Sequence, residues 1–156
     1  MENFATAREN GVDTTELTGS YTYRSFLDLT EPVDDFNKLR FAQLELTLTV
    51  GPDGAVSGAL VFPTPPEAGL LAMDMVGTAT AGPDVRFTLT GKGRPNTPIA
   101  DFHYAYDGIA LRHWEAGTDQ RLTLAGTVLR VENHGSGPAL AHAGQTASFL
   151  AVNRDL

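Results

Sequence analysis

The chain has 156 residues, 42% of them hydrophobic, enough for one domain with a closed core and too few for two full ones. Nineteen Asp and Glu against eleven Lys and Arg leave a formal net charge of −8, a field that repels nucleic-acid phosphates and anionic lipid heads. The absence of cysteine removes disulfides, Cys-ligated zinc, iron–sulfur clusters and a thiol nucleophile together.

No run approaches the roughly 20 consecutive apolar residues of a spanning helix, and Met1 to Ala5 lacks the basic-then-apolar order of a signal peptide. A soluble, cytoplasmic protein without a membrane or nucleic-acid partner is the expectation. Gly 16 and Pro 9 beside only 19% charged residues point to many short strands joined by turns.

Residues 1–15 carry neither helical nor strand period and read as a flexible lead-in, so the domain is expected to span 16–156. Alternation from Glu16 to Leu27 places Leu17, Tyr21, Tyr23 and Ser25 on one face of a first strand. After the acidic stretch 28–38, broken by Pro32, a second strand sets Arg40, Ala42, Leu44, Leu46, Leu48 and Val50 against Gln43, Glu45, Thr47 and Thr49. Gly51-Pro52-Asp53-Gly54 is a tight turn by composition and predicts a hairpin to Ala55–Phe62. A Pro-rich connection leads to a fourth strand, with Leu71, Met73, Met75, Gly77 and Ala79 on one face. Gly82-Pro83-Asp84 then turns the chain into a fifth, with Val85, Phe87 and Leu89 inward.

The stretch Ile99–Trp114 is either one long strand or a hairpin turning at Asp107-Gly108. An antiparallel barrel closes on an even number of strands, which favours one strand, bent by a bulge at Gly108. Such a bulge would hold Phe102, Tyr104 and Tyr106 on the same face as Ile109, Leu111 and His113. Strand seven is 121–131, with Leu122, Leu124, Gly126 and Val128 inward. A connection over 132–144 has room for one helical turn at 138–143, and strand eight follows from Gln145. No window has the spacing of a substantial helix. The expected fold is all-β, an eight-stranded antiparallel up-and-down β-barrel, with a sandwich as the alternative.

Leu17-Thr18-Gly19-Ser20-Tyr21 resembles the Leu-Thr-Gly-x-Trp opening of avidin-type barrels and the Gly-x-Trp opening of lipocalins, with Tyr21 in place of tryptophan. Asp53-Gly54-Ala55-Val56-Ser57-Gly58 is similar to the Asp-Gly-x-hydrophobic-x-Gly step of avidin-type chains. The resemblance implies a lipocalin/avidin-like barrel over 16–154. It does not extend to biotin, whose binders wall the site with several tryptophans where this chain has only Trp114. Small barrel cyclases and isomerases of biosynthetic pathways share such an architecture, although no motif selects them.

An eight-stranded barrel either fills its interior or holds one small ligand. Small inward residues (Gly19, Ala42, Gly58, Gly77, Ala79, Gly91, Gly126) leave room in one reading and curve the sheet in the other. Tyr21, Tyr23, Tyr104 and Tyr106 alternate in two pairs. Inward, each offers a π face and a hydroxyl that suits an aromatic ligand and can polarise a carbonyl; core filling is the commoner use. His103, His113, His134 and His142 have no compact metal spacing. His103 and Asp101 share a strand face, which faces solvent if Tyr104 points inward, whereas His113 would enter the barrel end. Arg40 and Arg130 interrupt apolar faces and must either pair with Glu16, Glu45 or Glu132 or meet a ligand carboxylate or enolate. Nucleotide, phosphate-loop and hydrolase motifs are missing.

These residues predict a cavity for a small apolar or aromatic ligand, bound by Tyr21, Tyr23, Arg40, Phe62, Met73, Met75, Phe87 and Trp114, with the 28–38 and 132–144 loops as lids. A cyclase or isomerase acting without cofactor or metal would use Tyr104, Tyr106, His113 and Arg130. A packed barrel acting through its outer face or as a homo-oligomer is the third possibility.

Overall fold

The computed structural model describes residues 13–111 and 121–155. Eight strands run in order: β1 (Gly19–Leu27), β2 (Phe41–Val50), β3 (Ala55–Phe62), β4 (Leu71–Thr80), β5 (Arg86–Gly93), β6 (His103–Ala110), β7 (Thr123–Arg130) and β8 (Thr146–Asn153). Each pairs antiparallel with its chain neighbours, and β1 also pairs with β8, so the sheet closes into an up-and-down barrel. Strand alternation decides what is inside: Tyr21, Leu46, Leu60, Met73, Leu89, Tyr106, Leu124 and Phe149 are all buried. Outward partners such as Thr22, Thr49, Thr88 and Thr127 are exposed.

The two barrel ends differ. At one end β2 is joined to β3 and β4 to β5 by short connections, 51–54 and 81–85. Gly51 to Gly54 makes the expected turn, with Gly54 N–H donating to the Gly51 carbonyl at 2.9 Å, Asp53 Oδ1 accepting from Ala55 N–H at 3.1 Å, and Gly54 at φ +85. A left-handed residue after such a turn favours glycine. Thr14–Leu17 form a 3-10 turn across this end. Thr14 and Leu17 are buried there, so residues 14 and 15 of the aperiodic lead-in are structured. The fully buried Tyr21 hydroxyl donates to the Leu17 carbonyl at 2.7 Å and fastens the plug to β1. Burial raises the Tyr21 pKa to about 12, which keeps the hydroxyl a donor. At the other end lie the longer connections, 28–40, 63–70, 94–102 and 131–145.

The structure corrects two sequence expectations about strand six. β6 begins at His103, because Ile99–Asp101 form a turn in which Phe102 N–H donates to the Ile99 carbonyl at 2.9 Å. Gly108 carries no bulge: Phe87, Gly108 and Gly126 stand in continuous register across β5, β6 and β7. Alternation therefore continues, placing Ala110 inside and Ile109 on the opposite face from Tyr104 and Tyr106. Gly108 is glycine for another reason, since a Cβ would lie 2.6 Å from the Phe87 ring and 2.8 Å from the Ala125 carbonyl oxygen. His113 and Trp114 lie outside the described residues.

Two expected outcomes test the closed end. Tyr21→Phe strands the buried Leu17 carbonyl and should lower the unfolding free energy by about 1–2 kcal/mol, read from the urea midpoint at unchanged m. Gly77→Ala should cost about 3 kcal/mol, because its Cβ would sit 1.9 Å from the Thr88 carbonyl oxygen, a backbone atom that moves only with the strand.

Candidate functional site

A pocket of about 260 Å³ enters the barrel at the end with the long connections. Parity aims Tyr23 from β1, Leu44 from β2, Leu60 from β3, Met73 from β4, Tyr106 from β6 and Val128 from β7 into it, and Phe62, Phe102 and Tyr104 wall it nearer the mouth. Its floor is aromatic. Tyr23 stacks on Phe149 with centroids 5.5 Å apart, and Tyr106 meets the same ring edge-on at 6.1 Å. Phe62 and Phe102 pack edge to face at 5.9 Å.

Three tyrosine hydroxyls converge here. Tyr23 lies within hydrogen-bonding reach of Ser25 and Tyr106 and feels Tyr104 electrostatically. Burial is the main cause that pushes the Tyr23 and Tyr106 pKa values well above the ordinary phenol value, and the neighbouring tyrosines add to it for Tyr106. Both are therefore neutral donors at any working pH. Beside them, Arg130 Nε donates to the Tyr104 hydroxyl oxygen at 3.1 Å, and that hydroxyl lies 2.7 Å from His134 Nε2. The Tyr104 hydroxyl and His134 Nε2 share one hydrogen bond, whose direction follows the imidazole tautomer. His134 stacks on Phe102 with centroids 3.9 Å apart, and its backbone bridges Ala141 across the 131–145 connection. Burial first, and the Arg130 charge second, lower its pKa below 6.5.

Arg130 also donates to the Gln145 side-chain oxygen and to the His142 carbonyl, the latter at 3.2 Å. None of its expected acidic partners reaches it. Glu45 pairs with Arg154, and Glu132 lies 3.4 Å from His103 Nδ1. Asp101 and His103 do not share a strand face either, because Asp101 lies in the turn before β6, where it accepts from Gly135 N–H at 3.3 Å. Arg40 reaches the pocket from the start of β2.

Of the sequence candidates, Tyr23, Arg40, Phe62, Met73, Tyr104, Tyr106 and Arg130 line this pocket. Tyr21, Met75 and Phe87 are buried in the packed half toward the plugged end. Inner glycines leave no void there: Met75 Sδ would be 2.9 Å and Tyr106 Cε1 3.1 Å from a Cβ at Gly91, so neighbouring side chains already occupy the space. His134, Leu44, Leu60, Val128 and Ala147 join the site without having been singled out as ligand contacts. Inward parity marks the last four, whereas nothing in the sequence marks His134, which a loop bridge brings to Tyr104.

A larger recess of about 570 Å³ lies on the outer face of β4 to β7, between Thr78, Thr88, Thr90, Asp107 and Thr127. It is a shallow interval between exposed side chains and gathers none of the groups above. Among the described residues no cluster of His, Asp or Glu could hold a metal, and no helix is long and apolar enough to cross a membrane.

The closed eight-stranded antiparallel barrel is consistent with a calycin-like architecture. No protein family, curated protein or solved structure matches the chain, so the likeness to lipocalins and avidins is one of architecture.

His134 supplies a pH test. Its docked pKa lies below 6.5, so as pH falls an undocked loop would bind the proton first. Docking is therefore complete above pH 6.5 and weakens as pH drops through the lowered value. An NMR titration of the His134 ring should give a midpoint below 6.5 that rises in Arg130→Gln; an unmoved midpoint would remove Arg130 as a cause.

Proposed function

We propose that this barrel binds one small, flat, largely apolar molecule in the mouth pocket, with Tyr23 and Tyr106 donating hydrogen bonds to an oxygen of that molecule. The carrying observation is the convergence of neutral, buried hydroxyls on an otherwise apolar pocket of about 260 Å³. Ligand sites are typically apolar concavities with a few polar groups that fix orientation, and this volume falls just below their usual range of about 300–1,000 Å³. A compact ligand of one or two rings suits it. The loops 28–40 and 131–145 flank the entrance, in keeping with a role in admitting the ligand.

A second reading draws on the same hydroxyls. Neutral tyrosine donors stabilise an enolate as it develops, as a cofactor-free isomerase or cyclase requires. The two readings part on turnover. An enone that binds and is recovered unchanged favours a carrier, and one recovered as an isomer favours the enzyme.

Native mass spectrometry of the purified protein should show a co-purified small molecule or, after soaking with aromatic ketones, a one-to-one adduct. Ala147→Trp places an indole in the pocket and should abolish that adduct while leaving the far-UV spectrum unchanged. Tyr106→Phe should weaken ketone binding about three- to ten-fold and leave a hydrocarbon of the same shape unaffected. Equal binding by the wild type and Ala147→Trp would refute the pocket as the site.

A further inference from the structure

Resting on that reading of the pocket, we propose that its ligand is an anion, an aromatic or short apolar carboxylate whose head group sits between Arg40 and Arg130 while its body enters the tyrosine-lined pocket.

The argument begins with charge. Nineteen acidic residues are available to neutralise arginines, and elsewhere they do: Arg94 Nε lies 2.9 Å from Asp74, and Arg154 pairs with Glu45. Arg40 and Arg130 are treated differently. Among the described residues the Arg40 guanidinium has no hydrogen-bond or ionic partner, and every acceptor on Arg130 is neutral: the Tyr104 hydroxyl, the Gln145 amide and the His142 carbonyl.

Position supplies the second part. Both arginines line the inner pocket, and both also line a polar vestibule of about 470 Å³ between the 28–40 and 131–145 loops. They therefore stand at the boundary of the two spaces, where the polar end of a molecule lodged in the pocket would lie. Arg40 precedes β2 and Arg130 ends β7, so β1 and β8 separate them, an arc of about 14 Å at normal strand spacing. An extended Arg40 side chain, with a planar fork of donors, can reach across that span toward Arg130, which keeps Nη2 for a carboxylate while Nε and Nη1 hold Tyr104, Gln145 and His142. One carboxylate, Asp28, also lines the vestibule, but its oxygens already accept from Thr146 Oγ1 at 2.9 Å and Ser148 Oγ at 3.1 Å.

The tyrosines fit the same ligand. Tyr104 accepts from Arg130 and holds the guanidinium at the mouth, with its carbon 5.6 Å from the Tyr104 ring centroid. A neutral arginine-binding group orients the cation without cancelling its charge.

Matched pairs of benzoate and benzamide, cinnamate and cinnamamide, and 2-naphthoate and 2-naphthamide separate charge from shape. In at least one pair, calorimetry should show the acid binding about ten- to a hundred-fold more tightly than its amide, with the difference shrinking as salt rises. Arg40→Gln, which breaks no side-chain hydrogen bond or ion pair among the described residues, should reduce the acid's affinity about ten-fold and leave the amide where it was. Arg130→Gln should do the same, with a loosened 131–145 connection in addition. Acid and amide binding alike in every pair, or Arg40→Gln leaving the acid's affinity unchanged, would overturn the anion inference while the pocket stands. Binding by no member of any pair would overturn both.

Discussion

The β1–β8 ladder is the constraint on which the site depends. Tyr21 to Leu27 pair with Asn153 to Ala147, and this pairing turns an open meander into a closed barrel. Closure leaves no sheet edge, and it commits alternate residues of every strand to one interior. A slip of one residue in β1 would send Tyr21, Tyr23 and Ser25 to the outside together. The convergence of Tyr23 on Tyr106, from strands far apart in sequence, exists only because β1 and β6 face each other across the closed interior.

That interior is filled unevenly. Toward the plugged end, Leu17, Met75, Phe87 and Phe149 occupy the space that the inner glycines release, so Gly91 and Gly108 serve close packing and leave no room for a ligand. Toward the mouth the same alternation continues, with Ser25, Ala42 and Ala147 set among the larger Phe62, Phe102 and Tyr104 around the opening. There the small side chains leave space between the aromatic walls, and that space is the pocket. Residue volume by itself does not decide between a core and a cavity; the size of the side chains on the facing strands does.

Much of this was legible in the sequence because strand alternation is a local signal. The eight strands, the Gly51–Gly54 turn and the inward tyrosines all follow from it. Strand six was misjudged where a glycine invited a bulge: Gly108 reads equally well as a bend and as a position pressed by Phe87 from the next strand, and only the register separates the two. Met75, Phe87 and Tyr21, expected beside a ligand, lie deeper than the mouth pocket for a related reason, since alternation tells in from out but not depth along the barrel axis. His134 is legible only as part of a lid loop, and its contact with Tyr104 is not. Its place beside Tyr104 depends on how the 131–145 connection folds back, through a bridge to Ala141 that composition does not announce.

The electrostatics of the mouth reconcile an acidic protein with an anionic ligand. At physiological salt the field of the −8 net charge is screened over about 8 Å, so its effect on a ligand within the pocket is weak compared with that of a guanidinium in contact. What matters locally is whether the arginine keeps its charge available. An arginine held by a carboxylate has little left for a ligand, and releasing it exposes a second charge that must be resolvated. Arg130 is held instead by a phenol, an amide and a backbone carbonyl, which fix its direction and leave its charge uncompensated. The Tyr104–His134 pair extends this arrangement: the imidazole, kept neutral by burial and by Arg130 itself, fastens the loop to Tyr104 without a carboxylate touching Arg130.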